Sequence, residues 1–347
     1  MKKILIVALL ILSSLAVFSS DLIIESKTQT FSDAEHKIKL DGGVKVKLDN
    51  LTVQSDRADV SIRRNNKLDT ATFYDKPYAF EINENKKREV KANILQVSLI
   101  NKVVRAEGEA QSVITEGNTP IVVIKADVQE YDTKSSVMVC SGGVTIKYKD
   151  IDTYSDKAVI IADQKGGLRK IDLIGNAKVK QEQNESEGHH FVYNPITEEM
   201  SVSGNTKTIA ISDDGKKLTI HSDYQQYSKH QNTYVGSGHV KVWYDDYYAQ
   251  GPKVSVFPDA KTNKPNEVYF VGRSKIVQQD KDIIADKIKM TMEPKDFIAE
   301  GNVRITRKKE LLATAKKVEI SPDYETFKII GNAVSKVYSD KEIKWKN

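Results

Sequence analysis

The side chains best equipped for chemistry are few and poorly grouped. His189-His190 and the looser series His221, His230 and His239 are of the type that ligates a divalent metal. No neighbouring Cys, Asp or Glu completes a ligand set around them, so they read as solvated loop histidines. Asp56, Asp156 and Asp286 are carboxylates of the kind that works in acid/base pairs, yet they recur at one position of a repeat and read as turn or strand-end residues. The sequence contains no H-E-x-x-H, no G-x-S-x-G and no G-x-x-x-x-G-K-[ST]. Cys140 is the only cysteine; it cannot form an intramolecular disulfide and reads as a small buried hydrophobe rather than a reactive thiol. The run Trp243 to Tyr248 holds rings able to stack on sugars, although alternation along a strand would send them by turns to core and surface. No catalytic residue, metal or cofactor is therefore expected. What remains is the chemistry of a continuous apolar wall.

That wall would be built from one phrase written many times. Cys140-Ser141-Gly142-Gly143-Val144-Thr145-Ile146 places a glycine between apolar residues in alternation, and Leu40 to Val46, Val235 to Val242 and Ala299 to Ile305 repeat it. Anchors fall at 42, 75, 108, 142, 175, 204, 238, 272, 301 and 331, ten positions separated by 29 to 34 residues, with Asp75 standing in the glycine place. A fixed period in this range marks stacked supersecondary units, none of which can bury its apolar face alone. A second phrase follows most anchors, as in Ser55-Asp56-Arg57-Ala58, Ser155-Asp156-Lys157-Ala158 and Ala285-Asp286-Lys287-Ile288. Around both phrases apolar residues alternate with polar ones, the period of a strand with one dry and one wet face. Each repeat is thus two strands and two turns, about twenty strands in all by this alternation. By parity the anchor glycine points inward, where it either bends the strand or keeps the interior open.

The rest of the chain bounds the setting. Met1 to Ser20, with Lys2-Lys3, an apolar run and small residues, has the layout of a secretory signal peptide; a retained inner-membrane anchor is the alternative. Without Lys2 and Lys3 the 53 basic residues become 51 against 48 acidic ones, a net of +3, evenly scattered and unlike a nucleic-acid footprint. Asp21 to Phe31 and Asn332 to Asn347 end the repeat in stretches that are either open strand edges, ready for β-augmentation, or frayed caps.

The phrases G-x-V-x-V and A-D-x-A/V, alternating behind a signal peptide, resemble the OstA-like (LptA) lipopolysaccharide-transport family over Asp21 to Asn347. The resemblance implies an elongated all-β jellyroll, one long unit or two fused ones. It further implies a periplasmic bridge without catalytic activity that carries lipopolysaccharide acyl chains in an apolar groove. Inner-membrane and outer-membrane lipopolysaccharide-transport proteins would be the partners, with head-to-tail self-association through the terminal strands. The expected groove residues are Val44, Val46, Val144, Ile146, Val179, Val240, Val242, Ile276, Val303 and Ile305, each of which could instead simply pack two walls together. At ~4.8 Å per rung, ten rungs would make a slot about 48 Å long. A structural or adhesive exported β-solenoid, carbohydrate-binding or not, is the alternative function.

Overall fold

The computed structural model describes residues 23–336, apart from 49–50, 64–66, 84–85, 99, 149, 163–167, 212–214, 245, 260–264, 279–280, 293–294, 308–309 and 321–326. The signal-peptide reading of residues 1–20 lies outside the described residues. No helix among them is long and apolar enough to cross a membrane. Among the described residues every regular element is a β-strand, 24 in all, and each described pairing is antiparallel, between consecutive strands except where a split strand is skipped, as in Leu51–Ile62 with Tyr78–Asn83. Four of the expected rungs are cut in two, which is why twenty rungs give 24 strands. Contacts divide the chain into two compact units, Met1–Glu182 with His189–Ile196, and Gln183–Gly188 with Thr197–Asn347.

The anchor phrase makes the corner of each rung. Gly142 and Gly143 take φ of +81° and +54° in succession, and the same left-handed pair recurs at Gly42-Gly43, Gly175-Asn176, Gly238-His239 and Gly301-Asn302. Two left-handed residues in a row insert one extra residue into the ladder, so Asp41 faces Arg57 while Val44 already faces Ser55. Glycine takes this conformation without steric cost, and Asn is the side chain that tolerates it best. Asp75 and Lys76 adopt the same pair of angles, 65° and 61°. With Pro77 behind them, which has no N–H for the ladder, the corner becomes a full break between Leu68–Tyr74 and Tyr78–Asn83.

The second phrase is the other half of the same joint. A Cβ built on Gly142 would lie 2.2 Å from Asp127 Oδ2, and one on Gly175 or Gly238 would lie 2.3 Å from the carboxylate of Asp156 or Asp223. These aspartates sit on the preceding strand and brace the residue after the glycine. Asn176 Nδ2 donates to Asp156 at 3.0 Å, Asn302 Nδ2 to Asp286 at 2.7 Å, and His239 Nδ1 lies 2.8 Å from Asp223. The expectation that the anchor glycine points inward is therefore corrected. It faces an exposed aspartate on the outside, and a Cβ on the following Gly143 would meet nothing within 4 Å. The corner bends the strand rather than holding space inside it.

Beyond each corner alternation resumes and the dry faces line up in register. In the first unit Leu40, Ala58, Phe73, Leu95, Ala106, Gln129, Cys140, Ala158 and Leu173 are successive ladder partners. None of them is more than 3% exposed. Small residues such as Ala58, Ala106 and Ala158 are mixed with the larger Leu40, Phe73, Leu95 and Leu173 along the row. In the second unit Val254, Phe270, Ile288, Ala299 and Val318 form the corresponding row. At the far ends, left-handed His36, Lys102 and Ser136 hand their carbonyls to the backbone N–H of Ile62, Thr133 and Ala162 at 2.8, 2.9 and 3.0 Å, tying each turn to the next rung.

Cys140 lies wholly inside this packing, and burial pushes its thiol from 9.0 up to about 12. Alkylation by iodoacetamide at pH 8 should therefore require denaturant, as measured by mass shift. Between the unfolded and folded values the unfolded chain gives up this proton while the folded chain keeps it, so stability falls as pH rises from about 9.

Candidate lipid-binding interior

The ten residues expected to line a groove all stand on the inner face. Val44, Val144, Ile146, Val240, Ile276, Val303 and Ile305 are at most 7% exposed, and Val46, Val179 and Val242 are half-buried. Register brings them together within each unit. In the first, Val46 leads through Val53, Ala79, Val90, Ser112 and Ile124 to Ile146, and on through Thr153 to Val179. In the second, Val242, Ala249, Ile276, Ile283 and Ile305 form one row, and Val240 and Val303 join the same apolar cluster. The strands between the expected ones contribute just as much, for example Ile124, Ile220 and Ile283. The alternation leading into the Asp phrase signals these residues, although the anchor phrase alone does not.

Two cavities between the walls are small. A cavity between Val53, Ala79 and Val90 on one wall and Leu95, Val97 and Val104 on the other has a volume of about 20 Å³, as does one beside Ile276, Ile283 and Phe297 in the second unit. That is room for a single water. The two walls are held by apolar side chains meeting across the middle, a contact without direction that another hydrocarbon can replace.

Polar groups enter this interior at defined points. Gln129 is 3% exposed; its Nε2 donates to the carbonyls of Ala110 and Ile124 at 3.0 and 3.1 Å, and its Oε1 accepts from Ser112. In the second unit Gln225, 1% exposed, donates to the carbonyl of Ile220 at 3.2 Å and accepts from the hydroxyls of Thr208 and Tyr234. Each glutamine reaches back five residues, from one side of the corner to the other, and engages a carbonyl beside the bulge. Burial raises the Tyr234 pKa, so this ring stays a neutral donor. Toward the strand ends of the first unit, Arg88 Nη1 donates to Glu81 Oε2 at 3.5 Å, with Glu81 itself 4% exposed. Nothing in the periodicity announced these groups, because the side chains that satisfy them lie on other strands.

The chemistry-bearing residues of the sequence are scattered. Among the described residues no group of three or more His, Cys, Asp or Glu is placed to hold a metal. His190 lies 3.5 Å from Asp172, His221 packs edge-on against Trp243 at 5.1 Å, and His239 braces a corner. Trp243 and Tyr248 face outward, their rings 5.3 Å apart, while Tyr247 packs on the inner cluster, the division that alternation requires. Asp156 and Asp286 each hold a corner asparagine rather than facing another carboxylate.

Rows of buried aliphatic side chains between cornered antiparallel walls are the architecture on which comparison with known proteins bears. A family model described as LptA/(LptD N-terminal domain) LPS transport protein matches residues 23–120, 123–217 and 219–345. The chain belongs to this family. The three matched segments contain three, three and four of the ten anchors, so each matched segment spans three or four repeats. Among solved structures, one match is LptH, the LptA homologous periplasmic component of the conserved lipopolysaccharide transport device from Pseudomonas aeruginosa. It has 12% sequence identity and a TM-score of 0.31, over 35% of this chain and 82% of that chain. No curated protein matches the chain. The family is one of transport components, and the all-β jellyroll expected from the sequence is the fold found.

Proposed function

We propose that this chain is a periplasmic, lipopolysaccharide-binding bridge component that carries acyl chains between its two walls from the inner toward the outer membrane. The observation that supports this reading is the continuous register of inward side chains within each unit, from Val46 to Val179 with Ser112 and Thr153 as its polar members, and wholly apolar from Val242 to Ile305. Acyl chains in water cost ~0.8 kcal/mol per CH₂, or tens of kcal/mol for one lipid. An apolar slot removes most of that cost at every point along it, so sliding needs no covalent step. Entry of an acyl chain exchanges wall-to-wall packing for wall-to-lipid packing, a non-directional contact in either case.

Inner-membrane and outer-membrane transport proteins are the proposed partners, reached through the terminal strands. Ile23–Glu25 and Thr28–Ser32 pair only with Lys37–Leu48 among the described residues, and Phe31 is 68% exposed. At the other end Val334 is 62% exposed on the strand Val334–Ser335. Edges of this kind accept a further strand from a partner jellyroll or a second copy. The mature chain as a single long jellyroll from residue 21, or as two fused ones, belongs to the same proposal. Purification from the native host followed by lipid mass spectrometry should recover glycolipid in stoichiometric amount. A structural or adhesive β-solenoid would bring none.

A further inference from the structure

We propose that the outer face of the first unit carries a binding track for an acidic polysaccharide, on the row of side chains just beyond the corner. This does not depend on the interior holding lipid. Ladder register places Lys45, Tyr78, Lys91, Lys125, Tyr154 and Lys178 in one line across the strands. The members between them are Gln54, Gln111 and Thr145, so from Lys45 to Lys178 the line contains no carboxylate. Glu25 stands beside Lys45 at its end and is drawn toward Lys47 at 3.9 Å. Gln54, Lys91, Lys125 and Tyr154 are exposed, and the Lys91 ammonium sits 5.3 Å from the centre of the Tyr78 ring.

A lysine-rich protein would show lysines on any outer row, so the comparison with the row on the other side of the corner decides. There Lys39, Asp59, Arg105, Glu130 and Asp172 share one line, and Arg105 pairs with Glu130 at 2.8 Å. That row carries carboxylates among its own members; from Lys45 to Lys178 the first row carries none, and Glu89 reaches it from the neighbouring row by accepting from the Tyr78 hydroxyl. The second unit repeats the asymmetry at the equivalent row, with Lys207, His221, Lys241, Gln250, Lys275, Ile284 and Arg304 in register. Carboxylates reach it from neighbouring rows, Glu187 at 3.6 Å from Lys207 and Asp282 at 2.7 Å from Lys275. Burial and then the flanking Lys207 and Lys241 hold the His221 pKa below its ordinary value, as a positive row requires.

The spacing selects the ligand class. Neighbouring lysines of the first row are two or three strands apart, about 10 to 14 Å at ~4.8 Å per strand. Nucleic acid carries a charge about every 3.4 Å along a strand and would call for a far denser track. A glycan with one acid every second or third sugar matches the lysine interval. The intervening glutamines and threonine supply partners for hydroxyl groups, and the exposed Tyr154 supplies a ring face for a sugar ring.

The test is affinity electrophoresis of the full chain in native gels containing hyaluronan, which bears one carboxylate per two sugars, with dextran and oligo(dT) as comparisons. Retardation by hyaluronan that weakens with added salt is expected, with little effect of dextran. The exposed double variant Lys91→Gln/Lys125→Gln should bind about tenfold more weakly, the scale of two exposed charge contacts. The double variant Lys157→Gln/Lys253→Gln, an equal charge change at exposed positions outside the track, should bind as the parent. Absence of retardation at low ionic strength, an equal loss in Lys157→Gln/Lys253→Gln, equal retardation by dextran, or stronger retardation by oligo(dT) would each overturn the proposal.

Discussion

Replacing Val240 with aspartate should unfold the second unit at much lower denaturant concentration and abolish glycolipid co-purification. Val240 is 1% exposed and packs in the apolar cluster with Val254, Ile276 and Val303. Its ladder partner is Gly251, which offers a carboxylate no side-chain donor. An unpaired buried charge costs about 3 to 5 kcal/mol, a large part of the 5 to 15 kcal/mol typical of a folded domain. The introduced carboxyl should keep its proton in the folded state well above the ~3.9 of an unfolded aspartate. Folded chains would then hold more protons than unfolded ones above that value, so the variant loses stability as pH rises and recovers part of it in acid. Val240→Ala removes the same side chain without adding charge and should cost less, with no such pH dependence. Urea titrations of the three proteins at pH 4.5 and 8 separate the two effects.

Gly142→Val should be the most damaging change at a corner, at roughly 3 kcal/mol or more. The left-handed backbone, φ +81°, costs a side chain about 1 to 2 kcal/mol by itself. The new Cβ would also lie 2.2 Å from Asp127 Oδ2 and 2.6 Å from its Cγ, so the aspartate must leave the joint. Gly143→Ala, with φ +54° and nothing within 4 Å of the new Cβ, carries only the backbone cost. The pair Gly142→Val and Asp127→Ala should be strongly non-additive, because removing Asp127 clears the collision and leaves the conformational strain. Simple addition of the two single effects in guanidinium unfolding would mean that the two phrases of the repeat are not one joint.

These joints show what a single sequence reveals. The interval between anchors, the two strands per repeat and the acceptance of Asp75 at a glycine place were all legible, because a left-handed corner restricts residue type and recurs at fixed distance. The direction in which the glycine faces was not. Alternation assumes one residue per pleat, and the pair Gly42-Gly43 inserts a residue with no side chain to betray it. The buried glutamines were invisible for a different reason. Gln129 takes a ladder position filled by Leu, Ala or Phe elsewhere in its row, and it is tolerated only because Ser112, 17 residues away, and two carbonyls beside the bulge meet its amide. The small volume of the two cavities also escaped prediction, since period and polarity state which faces are dry but not how far apart two dry faces stand.

Lipid transport by this chain requires hydrocarbon to occupy the space between the walls. A photoactivatable amino acid at Val144 or Val240, irradiated in cells of the native host, should yield a protein band shifted by covalently attached glycolipid. The same residue at the exposed positions Lys147 or Lys253 should give none. Equal labelling at inward and outward positions, or labelling at neither, would contradict a lipid-carrying interior.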